Sequence, residues 1–146
     1  MTTADEGSKA QLIKPCYHGS IVMTGNRILL KTPDKEFLIQ LNDSATADAV
    51  YLALPLEAYV NVWGEEIYFE IPVHMKLENG KKVMEVGEVA YWPQGDAFCI
   101  FFGQTPASKG PKPEAYSPVS PIGMVVGEVE SMKEIGDRTF IRLERA

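Results

Sequence analysis

Gly87-Glu-Val-Ala-Tyr-Trp-Pro-Gln-Gly-Asp-Ala-Phe-Cys-Ile-Phe-Phe-Gly-Gln-Thr-Pro106 is the stretch around which the rest of the chain is organised. Val86 to Trp92 and Ala97 to Phe102 are runs of β-branched and aromatic residues. Between them, Pro93-Gln94-Gly95-Asp96 joins a fixed φ to a residue that accepts positive φ. The stretch therefore reads as a β-hairpin. In its second strand Phe98, Ile100 and Phe102 share one face, and Ala97, Cys99 and Phe101 share the other. Neither face is polar, so this strand is expected to be covered on both sides, as a central strand of a barrel or sandwich is.

Working outward from the hairpin, short strands dominate. Residues 1 to 18 carry no apolar periodicity and read as a flexible lead-in to a single domain over 19 to 146. Gly25-Asn26 makes a turn, and Ile28 to Lys31 and Phe37 to Leu41 flank the loop-like Thr32-Pro33-Asp34-Lys35. Asn42-Asp43-Ser44 supplies N-caps for one helix, in which Ala47, Val50, Tyr51 and Leu54 repeat at the spacing of a buried face before Pro55 ends it. This helix, about three turns long, is expected to cover an open end of the sheet. Strands resume at Ala58 to Trp63 and Glu66 to Ile71, on either side of Gly64-Glu65. Val73 to Leu77 and Lys82 to Val86 are expected to pair through Asn79-Gly80, a strong hairpin signal. Residues 103 to 121 hold half of the ten prolines and read as a long loop, with Tyr116 its lone aromatic. Met124 to Glu130 and Arg138 to Glu144 close the chain. The count is about eight or nine antiparallel strands with one helix, the pattern of a small β-barrel.

Composition narrows the function. The 146 residues suit one domain that buries roughly 70% of the surface its unfolded chain exposes. A net charge of −6 argues against a phosphate-backbone partner, which would call for a basic face, so no nucleic-acid partner is expected. The apolar runs are strand-sized and the N-terminus is polar and acidic, which points to a cytoplasmic protein with no membrane segment. Cys99 sits in an apolar strand and Cys16 near the N-terminus, so a disulfide between them is not expected.

With the elements in this order, the sequence resembles the small prokaryotic cyclophilin-like proteins, single domains of unassigned function that share the cyclophilin β-barrel. The residues that carry the resemblance are Leu41-Asn42-Asp43-Ser44, Ala53-Leu54-Pro55, Trp63-Gly64-Glu65-Glu66-Ile67-Tyr68-Phe69, the Gly87 to Pro106 hairpin and Val125-Val126-Gly127-Glu128-Val129. The resemblance implies a closed antiparallel barrel with a groove on its outer wall. It also implies a departure from cyclophilins proper, whose prolyl isomerase activity centres on an arginine in a Phe-His-Arg segment ahead of Ile-Pro. Here Ile71-Pro72 follows Ile67-Tyr68-Phe69-Glu70, and the arginines are confined to Arg27, Arg138, Arg142 and Arg145.

Tyr68, Glu70, His74, Met75, Tyr91 and Trp92 come from strands expected to be neighbours, with Gln104, Thr105 and Tyr116 on the loop that begins beside them. As a groove, Tyr68, His74, Tyr91, Trp92, Gln104 and Tyr116 would hold a small molecule or an extended peptide. As packing, the aromatic residues among them would fill the barrel instead. His74 with Glu70 is the candidate catalytic pair of an enzyme, as a weak prolyl isomerase, a lyase or a hydrolase, and the competing reading places His74 on an exposed face. Cys16, His18 and His74 match no zinc module, so neither a metal nor a cofactor is expected. Glu65, Glu66, Glu70 and Glu85 read as strand positions facing water, and Lys109-Gly110-Pro111-Lys112 lacks the spacing of a phosphate loop. The third reading is a protein-interaction module or homo-oligomer, whose barrel edge or long loop docks a partner or a second copy; the chain is expected to be a monomer or a homodimer.

Overall fold

The computed structural model describes residues 25 to 146. Cys16 and His18 lie outside them. Ten strands form one antiparallel sheet: β1 (Arg27–Lys31), β2 (Glu36–Leu41), β3 (Leu56–Tyr59), β4 (Asn61–Val62), β5 (Glu66–Glu70), β6 (Lys81–Val83), β7 (Glu88–Trp92), β8 (Ala97–Phe101), β9 (Glu114–Val126) and β10 (Phe140–Arg145). The ladder runs β3-β10-β1-β2-β9-β7-β8-β5-β4, and β6 pairs with β9 off this path. Its two edges, β3 and β4, follow one another in the chain through Val60. Val60 itself is tied to the segment before β10, its N–H to Thr139 O at 2.9 Å and its carbonyl to Arg138 N at 2.7 Å. The sheet is not closed by hydrogen bonds, because no ladder joins β3 to β4.

The β7–β8 hairpin forms as its composition directs. Pro93–Gly95 makes a single 3₁₀ turn, and Asp96 rather than Gly95 takes the left-handed conformation, at φ 48°. The absent Cβ at Gly95 serves packing, since one placed there would lie 2.5 Å from the Trp92 ring. β8 is buried on both faces. Phe98, Ile100 and Phe102 enter the main core with Ile28, Leu30, Ile39, Ile67, Phe69, Val89 and Ile141. Phe69 and Phe98 stack there at 5.2 Å, each ring burial worth roughly 1.5–3 kcal/mol. On the other face Ala97, Cys99 and Phe101 join a second, smaller core with Met84, Ala90, Ala115 and Val119.

The helix α1 (Ala45–Leu52) packs Thr46, Ala47 and Val50 inward. It is a turn shorter than the sequence suggests, although Leu54 is still buried beyond its end. Ser44 caps it, accepting from Ala47 N at 3.1 Å. Glu78 adds a second cap, its carboxylate accepting from Thr46 N at 2.9 Å and Thr46 Oγ1 at 2.7 Å. Those bonds hold the carboxyl below its usual range.

Three sequence expectations are corrected here. Residues 103 to 121 are not one loop: the loop ends at Pro113, and Glu114–Val126 is the longest strand. Pro118 and Pro121 are tolerated because the ladders are interrupted beside them. The β7–β9 register shifts between Val89 and Ala90, opposite Gly123 and Pro121, and the β6–β9 register shifts between Lys81 and Val83. Carbonyls freed at the first shift accept from Asn42, Ile122 O from its N–H at 2.8 Å and Pro121 O from Nδ2 at 3.0 Å. Val73 to Leu77 is not a strand, and β6 pairs with β9 instead of with it, although Asn79 does adopt a positive φ of 54°. The last strand pair is also displaced: the chain leaves the sheet after Val126 and makes a 3₁₀ turn at Glu130–Glu134 before β10.

Candidate functional site

Strand alternation turns Glu66, Tyr68, Trp92 and Cys99 to the outer face of the sheet, away from the main core. The first half of β9 passes over that face. Between the two lies a cavity of about 170 Å³, lined by Trp63, Glu66, Tyr68, Trp92, Cys99, Ala115, Tyr116 and Val119. Each wall has a local cause. Trp63 sits at the start of a tight β4–β5 turn closed in both directions, Trp63 N to Glu66 O at 2.9 Å and Glu66 N to Trp63 O at 3.2 Å. The turn needs Gly64, at φ +61°, where a Cβ would lie 2.7 Å from Pro106 Cδ and 2.9 Å from Thr105 Cα. Trp92 ends β7, and its Nε1 donates to Ser117 Oγ at 2.7 Å, tying it to β9. Ala115 and Val119 seal the floor from β9. Tyr116, 70% exposed, stands at the mouth.

The four rings meet nearly at right angles. Trp63 and Tyr116 lie 6.3 Å apart at 75°, Trp92 and Tyr116 6.1 Å apart at 79°, and Tyr68 and Trp92 6.4 Å apart at 83°. These are edge-to-face contacts, which set the rings as adjoining walls instead of a stacked slab. Beneath them Glu66 is 6% exposed. Burial pushes its carboxyl up to about 8, while the neighbouring Cys99 thiol pulls the other way. Cys99 is itself pushed well above the usual thiol range, by burial first and by Glu66 second, so it is an inert thiol.

The residues singled out from sequence separate into two groups. Tyr68, Trp92 and Tyr116 converge on the cavity. Tyr91 does not: it is fully buried on the opposite face, its hydroxyl donating to Val73 O at 2.6 Å and lying 2.9 Å from Asp96 Oδ1, while accepting from Met75 N at 3.3 Å. Burial raises its pKa, and the bond from Tyr91, ahead of that from His74, lowers that of Asp96. His74 is exposed, with Nδ1 3.1 Å from Asp96 Oδ1. Glu70 is also exposed, and among the described residues no hydrogen bond joins it to His74. Gln104 lies on the loop, its Nε2 donating to Gly110 O at 2.7 Å. Neither His74, Glu70 nor Gln104 lines the cavity.

Sequence reasoning missed Trp63, Glu66 and Cys99 as cavity residues. Glu66 was expected to face water. The alternation that sends it outward is correct, but β9 covers that outer face, so Glu66 is buried and Glu70 on the same strand is not. Among the described residues no cluster of three or more His, Cys, Asp or Glu could hold a metal ion. No helix among them is long and apolar enough to cross a membrane.

An antiparallel sheet with one helix and an aromatic pocket on its outer face is the architecture to set against known proteins. The Cyclophilin-like family model matches residues 26–144, and the chain belongs to that family. It is similar to a hypothetical protein from Archaeoglobus fulgidus whose solution structure is known. The two share 38% sequence identity over 83% of this chain and 95% of that one, with a TM-score of 0.72. No curated protein matches the sequence.

Proposed function

We propose that this cyclophilin-like domain binds a small molecule in the outer-face pocket and is not a prolyl isomerase. The observation that carries the reading is the convergence of Trp63, Tyr68, Trp92 and Tyr116 on one cavity whose polar floor is a single buried carboxyl. Concave sites with aromatic walls and few polar groups are what small ligands use. The cavity volume is close to the ~150 Å³ of an engineered apolar cavity that takes up benzene, so it has room for one small ring or a compact head group. No arginine lines it, whereas catalysis of prolyl isomerisation calls for a fixed cation beside the amide. Arg142 is engaged with Glu57 and Glu144, Arg145 lies over Tyr51 and Arg138 over Tyr59.

The test is an amide-resolved NMR titration with a library of small organic molecules of mixed charge. The expected result is that hits shift Glu66, Cys99, Ala115 and Val119, and that Trp92→Ala abolishes those shifts with the fold retained. Hits that shift only residues remote from the pocket, or no hits at all, would overturn the reading.

A further inference from the structure

Among the described residues three glutamates are buried: Glu66, Glu88 and Glu114. Two of them are neutralised in place. Lys81 Nζ lies 2.9 Å from Glu88, and Glu114 has Lys109 Nζ at 2.9 Å and Lys82 Nζ at 3.9 Å. Glu66 has no such partner among the described residues, and the polar side chain that bears on it is the Cys99 thiol. Among the described residues no lysine, arginine or histidine lines the cavity above it. A buried carboxylate without a counter-ion is costly, and the cavity beside this one is walled by four aromatic rings. Ring faces carry negative quadrupole density and attract cations.

We propose that the pocket takes an alkylated ammonium cation, its head group held among Trp63, Tyr68, Trp92 and Tyr116 and facing the Glu66 carboxylate. This rests on reading the cavity as a small-molecule site, and it names the ligand's chemistry. An anion would find only the one O–H of the protonated Glu66 carboxyl, with no lysine, arginine or histidine in the lining to balance its charge. A primary ammonium carries three donors, and the lining supplies few acceptors for them, Trp92 being a donor already committed to Ser117. An alkylated ammonium asks for less: ring contact around its carbon surface and one countercharge. The cavity volume suits such a head group.

The arrangement couples binding to a proton. In the empty pocket the Glu66 carboxyl keeps its proton up to about pH 8. An entering cation favours the carboxylate, so the proton leaves as the ligand binds. The titratable groups that face Glu66 are Tyr68 on its own strand, Cys99 on β8 and Tyr116 on β9. Cys99 stays protonated through this range, so its charge does not change with Glu66.

Choline and its neutral carbon isostere, 3,3-dimethylbutan-1-ol, separate the cation from its shape. The chain has two tryptophans, and both line the pocket, so intrinsic fluorescence reads occupancy directly. Choline affinity is expected to rise about tenfold from pH 6 to pH 8 and to level off above that, as release of one proton from Glu66 requires. The isostere is expected to bind at least about tenfold more weakly at pH 8, with no pH dependence, by the loss of one close charge pairing. Glu66→Gln keeps the size and neutral form of the side chain. It is expected to bring choline down to the isostere's affinity and flatten its pH profile. Tighter binding of a trimethyl-lysine peptide than of choline would support the same chemistry and assign it to a modified side chain, and the reverse order would assign it to a free metabolite. Equal binding of choline and isostere at pH 8, or an unchanged choline profile in Glu66→Gln, overturns the cation while the pocket reading stands. Failure of both ligands to bind also overturns it, and the library titration then decides the pocket reading on its own.

Discussion

Replacing Glu66 with glutamine tests whether the pocket floor is as dry as its burial indicates. In the folded chain the carboxyl titrates at about 8 instead of 4.5. Folding therefore binds a proton more tightly than the unfolded chain does, and this contribution is fully present below pH 4.5. It is lost as pH rises, at about 1.4 kcal/mol for each pH unit until the folded carboxyl itself ionises near pH 8. The loss accumulates to roughly 5 kcal/mol, an upper bound because water entering through the pocket mouth screens the charge, and about half of that is the working expectation. Glutamine has no proton to lose. Urea denaturation of both proteins at intervals from pH 5 to pH 9 should give similar stabilities at pH 5 and a progressively more stable Glu66→Gln variant above pH 6. Two curves that stay parallel to within about 0.5 kcal/mol across that range would refute a desolvated Glu66.

Tyr91→Phe removes the hydroxyl that serves Val73 O, Met75 N and Asp96, and should cost about 1–3 kcal/mol of stability through the polar groups left without it. Pocket occupancy should be untouched, since Tyr91 faces the main core, so a ligand titration that changes in Tyr91→Phe would contradict that placement. Gly64→Ala imposes a side chain at positive φ against Pro106 and Thr105, and a loss of about 1–3 kcal/mol is expected in thermal unfolding. A wild-type melting temperature would show that the β4–β5 turn does not pack on that loop as described.

The β7–β8 hairpin and the two-sided burial of β8 were legible in the sequence because they are local facts. Period-2 alternation assigns Phe98, Ile100 and Phe102 to one face and Ala97, Cys99 and Phe101 to the other whatever the rest of the chain does. The helix α1 was legible for the same reason, through Ser44 and the spacing of Ala47 and Val50. So were three of the four rings of the pocket. What covers a face is decided by segments distant in the chain, and there local pattern gives no information. Composition marks Pro118 and Pro121 as loop residues, yet long-range pairing with β2, β6 and β7 draws them into a strand whose irregularities spare the missing N–H groups. That strand in turn buries Glu66 while leaving Glu70, two positions along the same face of β5 from Tyr68, in water. The sequence by itself determined which side chains point outward. Only the tertiary structure decided which of those meet solvent and which close a cavity, because desolvation depends on the strand laid over the sheet and alternation depends on the backbone alone.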